Sequence, residues 1–187
     1  HSQFEWGADT LKRLAWIAPQ RHPSDYADFT FEADAGKPYY IWLRGRPLVR
    51  HAYADSVWVQ FNDDIGTVDT AKSYEHPEGL GNWFEKDTSL TYAWASGTPE
   101  GPVLSVTFDK PGKQRLRLQT RLPLYMIDQV WLSATQSTPP DFRTPVEKKA
   151  AQPGSIDEIV LDWKDAEVHG GVNLTLDPEG SDEKVLL

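Results

Sequence analysis

Apolar and polar residues alternate with a period of two in several parts of the chain. The clearest of these parts are residues 55–61, 115–121 and 126–133. Because successive side chains of a β-strand point to opposite faces of a sheet, each segment predicts a strand with one face packed inward and the other facing solvent or a second layer. Together these segments indicate the sheet core of a β-sandwich.

Shorter alternating runs predict hairpins. Each predicted hairpin has two runs joined by a turn rich in Gly or Pro, which are the residues that tight turns favour. The paired runs are residues 29–31 with 39–43, residues 103–108 with 114–120, and residues 157–163 with 172–176. The sequence therefore predicts an all-β fold in which neighbouring strands of the chain pair with each other.

The length of 187 residues allows one large domain with a sizeable core. Residues 134–155 contain four prolines and almost no periodicity, which is typical of a linker or an extended surface segment. The sequence thus predicts an N-terminal extension over 1–25, a β-sandwich core over 26–133, the Pro-rich segment over 134–155 and a C-terminal strand pair over 156–187.

Composition excludes several classes of function. The formal net charge is −9, from 19 basic and 28 acidic residues, and this charge repels the phosphate backbone of nucleic acids. The absence of cysteine excludes disulfides, a thiol nucleophile and zinc or iron–sulfur sites of the cysteine type. No apolar run approaches the roughly 20 residues that a membrane helix needs, so we expect a soluble chain without membrane insertion.

Several motifs together resemble those of bacterial galactose-binding-like jelly-roll modules. They lie at residues 29–44, 55–61, 65–67, 81–83, 117–121 and 127–133. Such modules are similar to carbohydrate-binding modules that are appended to secreted enzymes and cell-surface proteins. The resemblance implies a β-sandwich of the jelly-roll type, an extracellular, periplasmic or cell-surface location, and a glycan as the partner; it implies the fold more firmly than the ligand.

The chain departs from this family pattern in two places. Modules of this kind often have an acidic-Gly turn before the last strand, where this chain has residues 122–125, Leu-Pro-Leu-Tyr. In addition, residues 159–170 resemble the opening strand of the same module type, yet they stand near the C-terminus. Either the module is circularly permuted and these strands complete its own sandwich, or they begin a next repeat and join a neighbouring module or subunit.

The Gly-rich region between residues 62 and 102 holds the candidate glycan site. Sugar rings stack their apolar faces on aromatic rings, while their hydroxyls need planar hydrogen-bonding groups nearby. The candidate residues are Trp83, Tyr92 and Trp94 as stacking rings, with Asn82 and Glu85 as polar partners. The alternative is that one or more of these rings cap the core. The tryptophans within strand patterns, Trp42, Trp58, Trp131 and Trp163, are expected to be packed inside.

A basic cluster after residue 43 and an acidic triplet after residue 61 are candidates for other binding roles. In the basic cluster, Arg46 and His51 could pair with a uronate or sulfate group, although a solvated loop is the simpler interpretation. The triplet Asn62, Asp63 and Asp64 offers the oxygen ligands that Ca²⁺ prefers. Adjacent residues point in different directions, so an Asn-Asp turn is the default interpretation, and a structural Ca²⁺ is the sole cofactor that the sequence suggests.

Catalysis is the less favoured class of function. Jelly-roll polysaccharide lyases use Arg, Gln, His and Tyr on one sheet face, and the alternation places Arg115, Arg117, Gln119 and Arg121 on one face. An acid–base Tyr or His would have to come from another strand, and the sequence does not place one. The main prediction is therefore a non-catalytic carbohydrate-binding module. The alternatives are a structural or protein-interaction module of a surface or filament protein, and a polysaccharide lyase.

Overall fold

The structure is a computed structural model that describes residues 21–48, 56–66, 79–81, 90–96, 102–120, 125–149, 154–172, 174–177, 180 and 184–186. The strands in these ranges are β1 (Tyr26–Ala33), β2 (Pro38–Pro47), β3 (Ser56–Phe61), β4 (Gly79–Gly81), β5 (Ala93–Ala95), β6 (Ser105–Thr107), β7 (Gly112–Thr120), β8 (Tyr125–Ser133), β9 (Glu158–Asp162), β10 (Ala166–His169), β11 (Leu174–Leu176) and β12 (Lys184–Leu186). Two short 3-10 turns, Asn62–Asp64 and Trp163–Asp165, follow β3 and β9. Among these residues, no helix is long and apolar enough to cross a membrane.

The strands form two antiparallel sheets. The first sheet has the order β10-β1-β7-β3-β4, and the second has β11-β12-β8-β2-β5, with β6 beside β2 and β9 beside β8. The prediction of an all-β sandwich is confirmed.

The core lies between the two sheets because the alternating strands turn their apolar sides toward each other. In β1, every second residue is buried, from Ala27 to Ala33. Leu116 and Leu118 of β7 continue this apolar surface across the first sheet, and Leu132 of β8 belongs to the facing surface of the second sheet. Burying one such large side chain contributes roughly 1.5–3 kcal/mol to folding, as an upper estimate.

The predicted hairpins are wrong, although the strands themselves are present. β1 pairs with β7 and β10 in the first sheet, while β2 pairs with β8 in the second. Likewise, β6 pairs with β2 and β7 with β1, and β9 pairs with β8 while β11 pairs with β12. The turns bend the chain from one sheet to the other, so that the apolar sides of successive strands pack across the core instead of lying side by side.

The C-terminal strands pair with strands of their own chain. β9 lies beside β8, with Trp131 opposite Val160, and β10 lies beside β1, with Asp28 opposite Glu167. The segment from β9 onward also contributes Ile159, Leu161 and Val172 to the core. The C-terminal region therefore adds strands to both sheets: β10 to the first, and β9, β11 and β12 to the second.

The Pro-rich segment crosses the outer face of the second sheet. We call residues 137–149 the strap. The indole N–H of Trp94 donates to the Thr144 carbonyl oxygen at 2.8 Å, and that of Trp42 donates to the Ser137 carbonyl oxygen at 3.2 Å. Beneath the strap lies an apolar cluster of Trp42, Trp94, Trp131 and Val160, against which Val146 packs. The strap therefore covers this part of the second sheet.

Candidate functional site

The outer face of the first sheet carries a row of accessible polar and aromatic side chains, which we call the polar face. Its members on β1 and β7 alternate with buried residues and so point away from the core, and those on β10 stand opposite the outward-facing residues of β1. They are Tyr26, Asp28, Thr30, Arg115, Arg117, Glu167 and His169. Strand pairing places Tyr26 opposite His169 and Asp28 opposite both Arg117 and Glu167.

Tyr26 lies between a histidine and an arginine. Its ring stacks on the His169 ring with 4.3 Å between centroids and 16° between planes. The guanidinium carbon of Arg117 lies 3.8 Å from the Tyr26 ring centroid. Because β10 and β7 flank β1 on opposite sides, the two neighbours approach the ring from different sides. This arrangement fixes the orientation of all three side chains.

Asp28 holds the arginine in place. The Arg117 Nε and Nη2 atoms each donate to a different Asp28 carboxylate oxygen at 2.7 Å, which is the bidentate geometry of a strong ion pair. This hydrogen bonding raises the pKa of Arg117 above its usual value. The guanidinium therefore stays charged throughout the physiological range.

Two charged groups at the edges of the polar face are more open to solvent. The Arg115 side chain is 54% exposed and touches Asp28 at 3.3 Å. The Glu167 side chain is 79% exposed, and its Oε1 lies 3.5 Å from Nε2 of His169. The face thus offers accessible donors and acceptors on a rigid sheet.

The predicted loop site is located only in part. Asn82, Trp83, Glu85 and His51 lie outside the described residues. Tyr92 and Trp94 are described, but they are 3% and 0% exposed. The Trp94 indole is bonded to the strap, and the Tyr92 hydroxyl donates to Asp177 at 2.9 Å. These two rings therefore have a structural role and present no open face to a sugar, which corrects the prediction.

The Arg46 side chain is held by hydrogen bonds and a ring contact within the chain. Its Nη2 donates to Asp177 at 2.6 Å and its Nη1 to the Leu90 carbonyl oxygen at 3.0 Å, while its guanidinium carbon lies 5.3 Å from the Tyr92 ring centroid. Burial, together with the hydrogen bond to Asp177, raises the pKa of Tyr92 well above its ordinary value. Arg46 thus holds the residue that follows β11 against β2, instead of facing an acidic glycan.

The predicted calcium ligands form a turn. Asn62 has a positive φ of 43°, and its amide bridges to β7: Nδ2 donates to Gln114 Oε1 at 2.8 Å, and Oδ1 accepts from the Arg115 backbone N–H at 2.9 Å. Asp63 and Asp64 are exposed residues of this turn. Among the residues that the structure describes, no group of three or more acidic or histidine side chains could hold a metal ion.

A cavity of about 460 Å³ lies between the strap and the end of β9. Lys148 forms an ion pair with Asp165 across it, with 2.7 Å between Nζ and Oδ2. Burial raises the pKa of the nearby Asp162 carboxyl, with Asp165 adding repulsion and Lys148 opposing it. The lining residues are Gln129, Pro145, Val146, Glu147, Lys148, Asp162, Lys164 and Asp165. Among the described residues, no aromatic ring lines this cavity, so they provide no stacking surface for a sugar.

Sequence reasoning found two of the seven residues of the polar face. It placed Arg115 and Arg117 on one sheet face, and the structure puts them there. It missed Tyr26 and His169, because nothing in the sequence says that β1 lies between β7 and β10. The alternation of Tyr26 and Asp28 with buried Ala27 is a signal that could have marked these residues as outward-facing.

Comparison with known proteins adds no relative. No protein-family model matches the chain, and neither the curated proteins nor the solved structures gave a match.

Proposed function

We propose that this chain is a non-catalytic carbohydrate-binding module of the galactose-binding-like type, which acts in an extracellular, periplasmic or cell-surface setting and holds a glycan on its polar face. The observation that carries the proposal is the fixed arrangement of Tyr26 and His169 beside Arg117 and the accessible Arg115. A β-sandwich supports such a face on paired strands, which hold side chains more rigidly than loops do.

The chemistry of the polar face suits a hydroxylated ligand. Sugar hydroxyls both donate and accept hydrogen bonds, and the face offers the Glu167 carboxylate as an acceptor and the Arg115 guanidinium as a donor. The His169 side chain is 33% exposed and contributes ring surface. Arg115 also matches the carboxylate of a uronic acid, since guanidinium and carboxylate pair in a bidentate manner.

The test is a glycan-array screen of the intact chain, followed by titration of each binding glycan with the variants Arg115→Ala and His169→Ala. We expect each variant to weaken binding about tenfold, the scale of one charge-assisted hydrogen bond. Lys110→Ala is the matched control, because Lys110 is exposed on a turn away from the polar face. If both polar-face variants bind as tightly as the control, the site assignment fails; if no glycan binds, the function fails.

A second candidate function is β-elimination of an acidic polysaccharide. The same observation favours it, since the Tyr26 ring of β1 lies between His169 of β10 and Arg117 of β7. In such a reaction a base removes the proton next to the uronate carboxylate, the bond to the leaving glycosidic oxygen breaks, a carbon–carbon double bond forms, and an acid protonates the leaving oxygen.

An ultraviolet absorbance assay distinguishes the binding module from the lyase. A lyase produces unsaturated uronates, whose ultraviolet absorbance rises with time, while a binding module produces none. Polygalacturonate and alginate are suitable substrates. If absorbance rises with the parent chain and stays flat with Tyr26→Phe, which removes only the hydroxyl, the lyase replaces the binding module as the function.

A further inference from the structure

We propose that Phe142, on the strap, is the stacking platform of a second glycan site, so that the module binds sugar on both of its outer faces. This inference rests on the proposed glycan-binding function. It concerns a residue on the opposite side of the sandwich from the polar face, because the strap covers the outer side of the second sheet.

Phe142 is unusually accessible for an aromatic residue. Phe142 is 60% exposed, whereas the core phenylalanines Phe29 and Phe108 are each 2% exposed. A single exposed apolar side chain is common on protein surfaces, so exposure alone marks no site. Phe142 is a candidate because its ring also stands on a well-anchored segment between polar residues.

The backbone around Phe142 is firmly attached to the second sheet. Its carbonyl oxygen accepts from the Trp94 backbone N–H at 3.0 Å. On its C-terminal side, the Arg143 carbonyl oxygen accepts from Arg44 Nε at 2.7 Å, and the Thr144 carbonyl oxygen accepts from the Trp94 indole at 2.8 Å. Consecutive carbonyl groups are thus fixed by buried side chains and a strand.

Asp141 fixes the turn from the other side. Its Oδ1 accepts from the backbone N–H groups of Arg143 and Thr144, both at 2.8 Å, and from the Thr144 hydroxyl at 2.9 Å. These hydrogen bonds lower the pKa of the Asp141 carboxyl. The ring therefore projects from a turn whose backbone is already ordered, which reduces the entropy that binding would cost.

A sugar ring fits this feature better than a protein surface does. A specific protein interface buries more than about 1,000 Å² and has an apolar centre built from several residues. Around Phe142 the residues Pro140, Asp141, Arg143 and Thr144 are exposed, and all but the proline are polar. A pyranose needs one ring face and planar hydrogen-bonding groups beside it. Asp141 and Arg143, which flank the ring in sequence, carry such groups, with Asp141 Oδ1 engaged in the turn and Arg143 Nη1 donating to Thr91 Oγ1 at 2.9 Å.

Fluorine NMR tests the proposal on the intact chain. The seven phenylalanines are replaced with 4-fluorophenylalanine during expression, and the signal that is missing in Phe142→Leu identifies Phe142. The labelled chain is then titrated with soluble oligosaccharides of galactan, xylan and polygalacturonate. We expect the Phe142 signal to shift saturably with at least one of them, while the signals of buried Phe29 and Phe108 stay in place.

The variants Phe142→Leu and Arg115→Ala separate the two sites. We expect Phe142→Leu to keep the thermal midpoint of the parent and to lower affinity at the strap site about three- to tenfold, the scale of one aromatic stacking contact. In Arg115→Ala, the Phe142 signal should still shift.

Each remaining outcome has a definite meaning. If the chain binds an oligosaccharide and the Phe142 signal does not move, the second site is overturned and the proposed function stands. If the Phe142 signal shifts but Arg115→Ala leaves total binding unchanged, the strap site stands and the polar face does not. If no oligosaccharide binds, both proposals fail.

Discussion

Arg44 of β2 forms a buried ion pair with Asp128 of β8, and the two side chains are only 6% and 0% exposed. Asp128 is available for this contact because the pairing of the two strands shifts by one residue: Arg44 stands opposite Gln129, and Gly45 stands opposite Ile127. Asp128 is thus the extra residue of a β-bulge, and such a bulge redirects a side chain locally.

The first prediction concerns this pair. Asp128→Asn should lower the free energy of unfolding by about 3–5 kcal/mol, because it leaves the guanidinium of Arg44 buried without its counter-charge. Urea unfolding followed by tryptophan fluorescence measures the effect. Asp109→Asn is the matched control, since Asp109 is exposed on a turn. A loss in Asp128→Asn no larger than that of the control would show that the buried charge pair does not support the fold.

Gly45 is a second test of the bulge. A Cβ atom at this position would lie 2.6 Å from Cζ of Tyr125 and 2.7 Å from the Met126 carbonyl oxygen, so Gly45→Ala forces the strands apart. We expect the free energy of unfolding to fall by about 1–3 kcal/mol, the usual cost of overpacking.

Gly36→Ala provides the comparison for Gly45→Ala. Gly36 has φ of 75°, but a Cβ there would have nothing within 4 Å, so only backbone strain of about 1–2 kcal/mol is expected. Thermal or urea unfolding of both variants distinguishes a clash from strain. If the free energy of unfolding falls equally in the two variants, the strands at Gly45 move apart at little cost and the clash is not significant.

Trp94 is predicted to matter for stability. Its ring is fully buried, packs edge-on against Trp131 with 6.1 Å between centroids, and donates to the strap. Trp94→Ala should cost about 3–5 kcal/mol in unfolding free energy. Phe142→Ala, at an exposed position, should change it by no more than about 0.5 kcal/mol. The two denaturation curves, recorded side by side, test both statements; a Trp94→Ala chain as stable as the parent would contradict the first.

The cavity beside the strap predicts a pH dependence. The pKa of Asp162 is raised, chiefly by burial, so the unfolded chain releases this proton at a lower pH than the folded chain does. The parent therefore loses stability as pH rises from about 4 through the folded pKa of Asp162. Asp162→Asn lacks this loss, so its stability relative to the parent should be greater at pH 7 than at pH 3.

Asp141→Asn is the control of opposite sign. Hydrogen bonds lower the pKa of Asp141, so its carboxylate stabilises the folded parent above the ordinary aspartate pKa, and this contribution disappears as pH falls through the lowered value. The variant should thus be less stable than the parent at neutral pH, with the difference fading in acid. Urea midpoints between pH 2 and 7 measure both variants. If the stability of both variants relative to the parent changes in the same direction with pH, the opposite pKa shifts assigned to Asp162 and Asp141 are contradicted.

The C-terminal strands give the last prediction. Deleting residues 154–187 removes Ile159, Leu161 and Val172 from the core, together worth roughly 5 kcal/mol or more, and leaves edges of β8 and β1 unpaired. Since whole domains are stable by only about 5–15 kcal/mol, we expect the truncated chain to lose its cooperative thermal transition. Calorimetry is the measurement. An unchanged melting temperature would mean that these strands do not support the sandwich.

Contacts between residues far apart in the chain explain why the stacking rings were misassigned. Tyr92 and Trp94 stand near a predicted loop region with polar neighbours, and a sequence cannot tell such a ring from one that is covered. The residues that cover the two rings lie far along the chain. Trp94 is bonded to Thr144 of the strap, a segment whose prolines suggested a linker or surface path, and the Tyr92 hydroxyl is bonded to Asp177.

Trp42, Trp58 and Trp131 are buried as expected, and Trp163 packs against the core while only partly buried. Trp42 and Trp131, however, lie on the outer face of the second sheet, where the strap covers them, so strand alternation is not what buries them.

The sequence by itself determined the local structure: the period-two alternation specifies strands and states which side chains share a face, since that geometry is a property of the extended backbone. Only the tertiary structure decided which strands are neighbours. Pairing depends on how apolar faces pack across the core, over separations that no local pattern records, and this packing sends β1 and β2 into different sheets. It also brings Tyr26 and His169, 143 residues apart, into contact on one face.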